Sequence, residues 1–300
     1  PDANFIVTPN QASCHFPSKN LCGVGVIFYV LLSLRIELRK LNRFLIEPEP
    51  ILSDLLDLVA LGTIADLVKL DFNNRILVNY GIKKIRSGNC NFGIEALARL
   101  SKKKLKDIRT SDLSFSIAPK INAAGRLDDM TVGIKCLITK NKNEAENYAK
   151  QLVVLNEQRK LVENKMKDEA LSILSDCIVE DNYTITMYDI NWHQGVIGIV
   201  ASRLKEKYYR PTIIFAKDDS GFLKGSGRSI SSFHLRDALD LVSKRNPDLI
   251  LTFGGHAMAA GLTIKTENFK IFCTEFEVIA KELLSPDDLN LIIEFDKSIP

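Results

Sequence analysis

Three hundred residues, 46% hydrophobic and 26% charged, are enough for two domains with their own cores and exclude the disordered and fibrous classes. A net charge of +3 excludes a polycationic coat, so a surface for nucleic acid has to be a local patch. The six cysteines (14, 22, 90, 136, 177 and 273) form no CxxC pair and the four histidines no HxxxH pair, which argues against a zinc centre and fits free thiols in a reducing compartment.

The chain opens on Pro1 with no initiator Met or signal-like start, and reads as a piece excised from a longer protein. Leu21 to Leu34 is apolar but broken by glycines and a serine, which predicts a buried helix rather than a membrane span. Ser53 to Leu70 is one apolar-rich segment, and Asn73 to Ile85 has the pattern of a second helix. From Asn143 to Ser175 there is no Gly or Pro, and Leu152, Leu155, Val162, Met166, Ala170 and Ile173 recur at helical spacing, so a long amphipathic helix is expected to join two lobes.

Beyond it the periodicity changes. Strands are predicted at Thr184–Tyr188, Thr212–Ala216 and Phe222–Gly225, with helices over Val196–Lys207 and His234–Ser243 and apolar segments at Leu249 and Gly261. This is the pattern of a compact α/β domain of ordinary size. The tail Leu289–Phe295 reads as the start of another strand. The expected division is a first domain over 1–142, a linking helix over 143–178, an α/β domain over 179–285, and the beginning of a truncated domain over 286–300.

Two glycine motifs carry the first chemical signal. Gly254-Gly255-His256 follows an apolar run, and a helix opening at Ala257–Ala260 would aim bare backbone amides at a phosphate. Against this stands a tight turn packed on a small-residue helix. Lys224-Gly225-Ser226-Gly227-Arg228-Ser229 offers flexible backbone, two hydroxyls and a guanidinium able to grip a phosphate with two parallel hydrogen bonds. Its plain alternative is a solvated hairpin turn. Together the motifs say "binds phosphate" and no more.

Further segments follow a fixed order: Leu61-Gly62-Thr63-Ile64-Ala65-Asp66-Leu67-Val68, then Asn122-Ala123-Ala124-Gly125-Arg126-Leu127-Asp128-Asp129, then Trp192-His193-Gln194-Gly195-Val196-Ile197-Gly198, then the two glycine motifs. With Pro9-Asn10-Gln11 and Phe16-Pro17-Ser18-Lys19-Asn20 near the start, they cover nearly the whole chain. In this order they resemble the bacterial RecJ family of single-strand-specific DNA exonucleases, within the DHH phosphoesterase superfamily. The resemblance implies a 5′→3′ exonuclease of DNA repair and recombination that uses Mn²⁺ or Mg²⁺, and a catalytic lobe, a linking helix and a DHH-associated lobe that helps hold DNA. The last, truncated domain would then be an oligonucleotide-binding one. It also implies single-stranded DNA as partner, with single-strand-binding protein and helicase as accessory partners, and a cytoplasmic monomer without membrane attachment.

The chain departs from that family in carrying no Asp-His-His. Of the family's metal motifs only the last is present, and its carboxylate maps to Asp66, the expected catalytic and metal-binding residue. Two-metal hydrolysis needs several carboxylate and imidazole ligands, so this chain alone is expected to be inactive. Without the family, Asp57 and Asp71 rival Asp66, and each of the three has helix capping or solvation as its ordinary fate. Arg126 reads as sitting in a glycine- and alanine-flanked turn with Asp128 and Asp129 as near salt-bridge partners, and the resemblance adds it and Asn122 as cleft-facing contacts. It also adds His193, which is otherwise a structural residue beside a core Trp192. His256 fits a hydrogen bond to phosphate, or to its own turn, better than a metal. Ser226, Gly227, Arg228, Ser229, Gly254, Gly255 and His256 complete the expected nucleic-acid contacts. The basic run Arg99–Arg109, with Lys102-Lys103-Lys104 and Lys106, could track a strand backbone electrostatically, but its ordinary reading is a solvated helix face. Two further functions fit the same motifs: a DHH phosphodiesterase acting on short oligonucleotides or cyclic dinucleotides, and a non-catalytic nucleic-acid-binding relative.

Overall fold

A computed structural model describes residues 3–175, 182–218 and 220–291. The chain forms two compact units, 1–157 and 158–300, and the division falls inside one long helix. All strands described lie in the second unit, so the fold is α/β with a helical first unit.

The first unit is built from α1 (Gly23–Lys40), α2 (Leu56–Ala65), α3 (Phe72–Arg86), α4 (Phe92–Leu100), the single turn α5 (Thr110–Asp112), a π-helical turn over Leu113–Ile117, α6 (Ala118–Leu127), α7 (Thr131–Ile138) and the start of α8 (Lys142–Ser175). Its core gathers Ile64 of α2, Val78 and Ile85 of α3, Leu97 of α4, Leu113 and Ile117, Ile121 of α6 and Leu152 of α8. Helix α2 is buried almost all round, and its lack of any charged residue but Asp57 permits that. Helix α1 departs from the buried helix expected at Leu21–Leu34. Only Gly25 and Phe28 are buried on it, and Ile27, Leu34 and Ile36 are about half exposed. Its apolar residues run round the helix, and α2 and the segment around Phe16 cover it only in part.

In the second unit the sheet order is β1-β2-β3-β5-β4, with β1 (Ile185–Tyr188) parallel to β2 (Thr212–Lys217) and the rest antiparallel: β3 (Leu223–Arg228), β5 (Ala259–Ile264) and β4 (Thr252–Gly255). Helix α9 (Ile197–Tyr208) makes the crossover that a parallel β1–β2 pair requires. One face of the sheet packs Ile213, Phe215, Leu262 and Ile264 against α10 (Leu235–Arg245) and α11 (Phe269–Leu283). On the other face, Ile214 and Ala216 pack with Val200 and Ala201 of α9 and Met166 and Ala170 of α8.

Three sequence expectations change here. The strand predicted at Phe222–Gly225 runs on through Arg228, so the Gly-Ser-Gly-Arg segment is strand and not a hairpin turn. Ala257–Ala260 does not open a helix: the chain turns and enters β5, because Ala259–Ile264 pairs with β3 along one edge and Ala260–Thr263 with β4 along the other. Asn122–Leu127 is helix and not a turn, its Ala-rich face buried with Ala123 and Ala124. The strand expected at 289–295 falls largely outside the described residues. Leu289 ends a short 3₁₀ turn. The five cysteines among the described residues are all free, and no described helix is long and apolar enough to cross a membrane.

Candidate nucleic-acid interface

The three aspartates that the sequence leaves in competition separate by burial and by partner. Asp57 is 1% exposed. Its two carboxylate oxygens accept the Leu58 N–H at 2.8 Å and the Asn91 N–H at 2.6 Å, tying the first turn of α2 to the start of α4. Asp71 caps α3. Its carboxylate accepts the Asn74 N–H at 2.9 Å, the Ser18 hydroxyl at 2.7 Å and the Asn20 amide at 3.2 Å. The Asn74 hydrogen bond above all holds this carboxyl below its ordinary range. Asp66 ends α2, where its N–H closes the last turn on Gly62, and its side chain is exposed.

Asn122 and Arg126 stand one turn apart on α6 and so share a side of the helix. Asn122 lines an otherwise apolar cavity of about 390 Å³ with Gly62 and Ala65 of α2, Ile121, and Ile134 and Ile138 of α7. Ala65 precedes Asp66, so the end of α2 and the outer face of α6 meet at this cavity. Among the described residues no three His, Cys, Asp or Glu side chains gather where they could hold a metal ion. Asp66 alone does not fit the ligand set of a metal pair.

In the second unit the glycines of β3 alternate with polar residues, and the pleat sorts them. Gly225 and Gly227 face the core: a Cβ at Gly225 would lie 2.5 Å from Leu262 Cδ2, and one at Gly227 would lie 2.6 Å from Leu235 Cδ2. They are packing glycines, not a backbone cradle. Lys224, Ser226 and Arg228 face the other way. Arg228 Nη1 donates to the Ser226 hydroxyl at 3.3 Å and to the Gly227 carbonyl at 2.8 Å. Both side chains abut the first turn of α9, where a Cβ on Gly198 would meet Ser226 Oγ at 2.8 Å and Arg228 Nη2 at 3.0 Å. As a helix N-terminus that turn carries a partial positive charge. A guanidinium, a hydroxyl and a helix N-terminus therefore converge. The helix that seats them is α9, not one beginning at Ala257.

The register extends this face across the sheet. Ser226 pairs with Gly261, which pairs with Gly254; Lys224 pairs with Thr263, which pairs with Thr252. Lys224 Nζ donates to Thr263 Oγ1 at 3.1 Å. Gly254 and Gly261 are exposed and Ala259 partly so, and a Cβ on Gly254 would meet nothing within 4 Å. Helix α9 packs on β2 and β3, and among the described residues the β5–β4 half of the face is an open floor without large side chains. Gly255 has a different task. At φ +145° it is in a region that favours glycine, and a Cβ there would lie 2.4 Å from the Ala259 carbonyl oxygen.

The remaining expected contacts divide. Ser229 is fully buried, and its hydroxyl donates to the Phe233 carbonyl at 2.6 Å, so it holds the end of β3 and does not reach the surface. His256 is exposed, and its N–H closes the β4–β5 turn on the Ala259 carbonyl at 2.8 Å. His193 is exposed beside a buried Trp192. Its Nδ1 accepts the Gly195 N–H at 3.0 Å, and Trp192 Nε1 donates to Glu169 at 3.0 Å. Gly198, Lys224, Thr263 and Gly261 are not among the contacts expected from the sequence, although Gly198 and Lys224 stand inside its motifs. The signal for them was the Gly/polar alternation over 224–228, which is a strand period.

A DHHA1 domain model matches residues 180–282. The single-stranded-DNA-specific exonuclease RecJ of Haemophilus influenzae is 48% identical over 299 residues, covering 99% of this chain and 52% of that protein. A crystal structure of RecJ in complex with Mg²⁺ from Thermus thermophilus superposes with a TM-score of 0.76 at 32% identity, over 89% of this chain and 39% of that one. A crystal structure of exonuclease RecJ bound to manganese superposes with a TM-score of 0.73 at 31% identity, over 92% of this chain and 65% of that one. The chain spans about half the length of the curated relatives it matches. With near full-length identity of this order, a matching fold and a DHHA1 domain, the chain belongs to the RecJ family.

Proposed function

We propose that this chain is the nucleic-acid-gripping part of a single-strand-specific DNA exonuclease that hydrolyses phosphodiesters from the 5′ end, in repair and recombination, as a soluble cytoplasmic protein. The observation that carries the reading is the face shared by β3, β5 and β4. Its floor is glycine and alanine, one wall is the first turn of α9, and Arg228 and Ser226 stand where the wall meets the floor. A phosphate seated there gains a charge-assisted contact from Arg228, a hydroxyl donor from Ser226 and the positive end of α9. The bare floor lets the following sugar–phosphate backbone lie close to the sheet. Arg126, Asn122 and His193 serve as further contacts.

Asp66 is proposed as one ligand of a divalent ion, Mg²⁺ or Mn²⁺, both of which RecJ structures contain. When bound, such ions activate water and stabilise the leaving oxygen. The described residues supply one carboxylate toward that set, so the chain by itself is proposed to bind single strands without cutting them. Strands labelled at the 5′ or the 3′ end, given to full-length RecJ carrying this sequence, test the reading. Release of 5′ label as mononucleotide, from single and not double strands, is expected. Endonucleolytic products, or turnover confined to cyclic dinucleotides or short oligonucleotides, would replace it.

A further inference from the structure

The basic run after α4 takes no part in the face described above, and it is not the solvated helix face that its sequence suggests. Arg99 is the last of its cations on the helix. The chain then closes α4 with a left-handed cap: Lys102 N–H donates to the Arg99 carbonyl and Lys103 N–H to the Ala98 carbonyl, both at 2.9 Å, with Lys102 at φ 58°. Glycine is the unstrained residue at that position, and here it is a lysine. Lys102, Lys104 and Lys106 are exposed, and none has a carboxylate within 4.0 Å among the described residues. Charges near the end of α4 complement its dipole, which accounts for Arg99, Lys102 and Lys103. That leaves Lys104 and Lys106 unexplained.

The loop is fastened to the neighbouring turn at two points. Lys103 pairs with Asp112 at 2.7 Å, and Ser101, whose hydroxyl donates to the Leu97 carbonyl at 2.6 Å, sits against Ser116 with its Oγ 3.3 Å from that carbonyl oxygen. Between these points the chain makes its π-helical turn, a geometry that concentrates at functional sites. Leu113 and Ile117 of that turn are fully buried, while Phe115 is 80% exposed. Lys120 Nζ donates to the same Ser116 carbonyl at 2.5 Å, bringing a further cation beside the turn. An exposed aromatic ring thus stands on a fixed turn that adjoins the loop carrying Lys102 and Lys104.

We propose that this is a second contact for single-stranded nucleic acid, in which Phe115 stacks on an unpaired base and Lys102, Lys104 and Lys106 take the flanking phosphates. The positive charge sets a polyanion as occupant. The exposed ring selects one whose base faces are open, which a duplex does not offer. The inference rests on the single-strand substrate proposed above and adds to it a contact in the helical unit.

Fluorescence anisotropy of labelled oligothymidylate, titrated with the full chain, tests it. Phe115→Ala weakens binding about tenfold, and Phe115→Trp restores it, with indole fluorescence quenched by the strand. Replacing Lys102, Lys104 and Lys106 with alanine lowers the slope of log affinity against log salt by about 2. On a strand of abasic sites Phe115→Ala and the parent bind equally. Unchanged oligothymidylate affinity in Phe115→Ala overturns the proposal, and so does an equal loss on abasic and normal strands, which marks Phe115 as a fold residue. If Arg228→Ala loses affinity and Phe115→Ala does not, this contact fails and the sheet reading stands; if the unaltered chain binds no single strand, both fail. Competition by an acidic peptide, with no effect of Phe115→Ala on DNA, would assign the patch to protein and overturn it as well.

Discussion

Ser226 and Gly254 occupy one row of the sheet, each in register with Gly261 between them. A hydroxyl beside the α9 turn and a bare backbone two strands away therefore belong to one surface, although they lie twenty-eight positions apart in sequence. The α9 wall stops short of Gly254, and this is what makes the row an open floor rather than a core.

The two adjacent glycines of the Gly-Gly-His motif are expected to respond in opposite ways. Gly254→Leu puts a side chain into open space on the floor, so thermal stability holds while single-strand affinity falls about fivefold or more, roughly 1 kcal/mol. Gly255→Ala forces a methyl group against the Ala259 carbonyl at a positive φ, and costs about 1–3 kcal/mol of stability. Urea melts and anisotropy titrations on both variants separate the two. A Gly254→Leu protein that binds as tightly as its parent would remove the floor from the site.

Arg228→Ala is expected to weaken single-strand binding about tenfold or more, the loss of a charge-assisted contact of roughly 1.5–3 kcal/mol, and to flatten the salt dependence by about one phosphate. Arg228→Lys recovers part of the loss, because a point charge lacks the two-pronged geometry. Ser229→Ala is the control. It removes the hydrogen bond to the Phe233 carbonyl and lowers stability by about 1 kcal/mol, with affinity unchanged.

Asp66→Ala in full-length RecJ is expected to abolish turnover and leave single-strand affinity and the melting temperature near those of the parent, since the side chain is exposed. Equal losses of binding and rate would instead make Asp66 a DNA contact. The isolated chain is expected to show no cleavage with Mn²⁺ on the same strands.

Asp71 provides a pH test. Its carboxyl sits below the ordinary carboxylate range when folded, mainly through the Asn74 N–H. The folded state therefore gains stability from it above the unfolded value of about 4, and loses that gain as pH falls through the lower folded value. Asp71→Ala is expected to cost about 1 kcal/mol at pH 7 and progressively less below pH 4. Denaturant melts at pH 7 and pH 3 measure the difference, and a cost independent of pH would contradict the capping role.

The amino-acid sequence by itself determined the alternation of elements. The long helix, α3 and the β1–α9–β2 unit follow from periodicity, which depends on local geometry and is written residue by residue. It also determined family membership, because the ordered motifs from Leu61–Val68 to the Gly-Gly-His segment survive whatever the turns do. Tertiary structure alone decided which aspartate faces solvent: Asp57 and Asp71 find partners 34 and 53 residues away, and no local pattern announces Asn91 or Ser18. It also decided the fate of the glycines. Ala257–Ala260 has no local preference strong enough to hold a helix against strand pairing, so the chain bends at Ala257–Met258 and Ala259 and Ala260 enter the sheet. Gly225 and Gly227 then became core, Gly255 a turn and Gly254 open floor, because a glycine has no side chain of its own and takes its role from what the fold brings to within a methyl group of it.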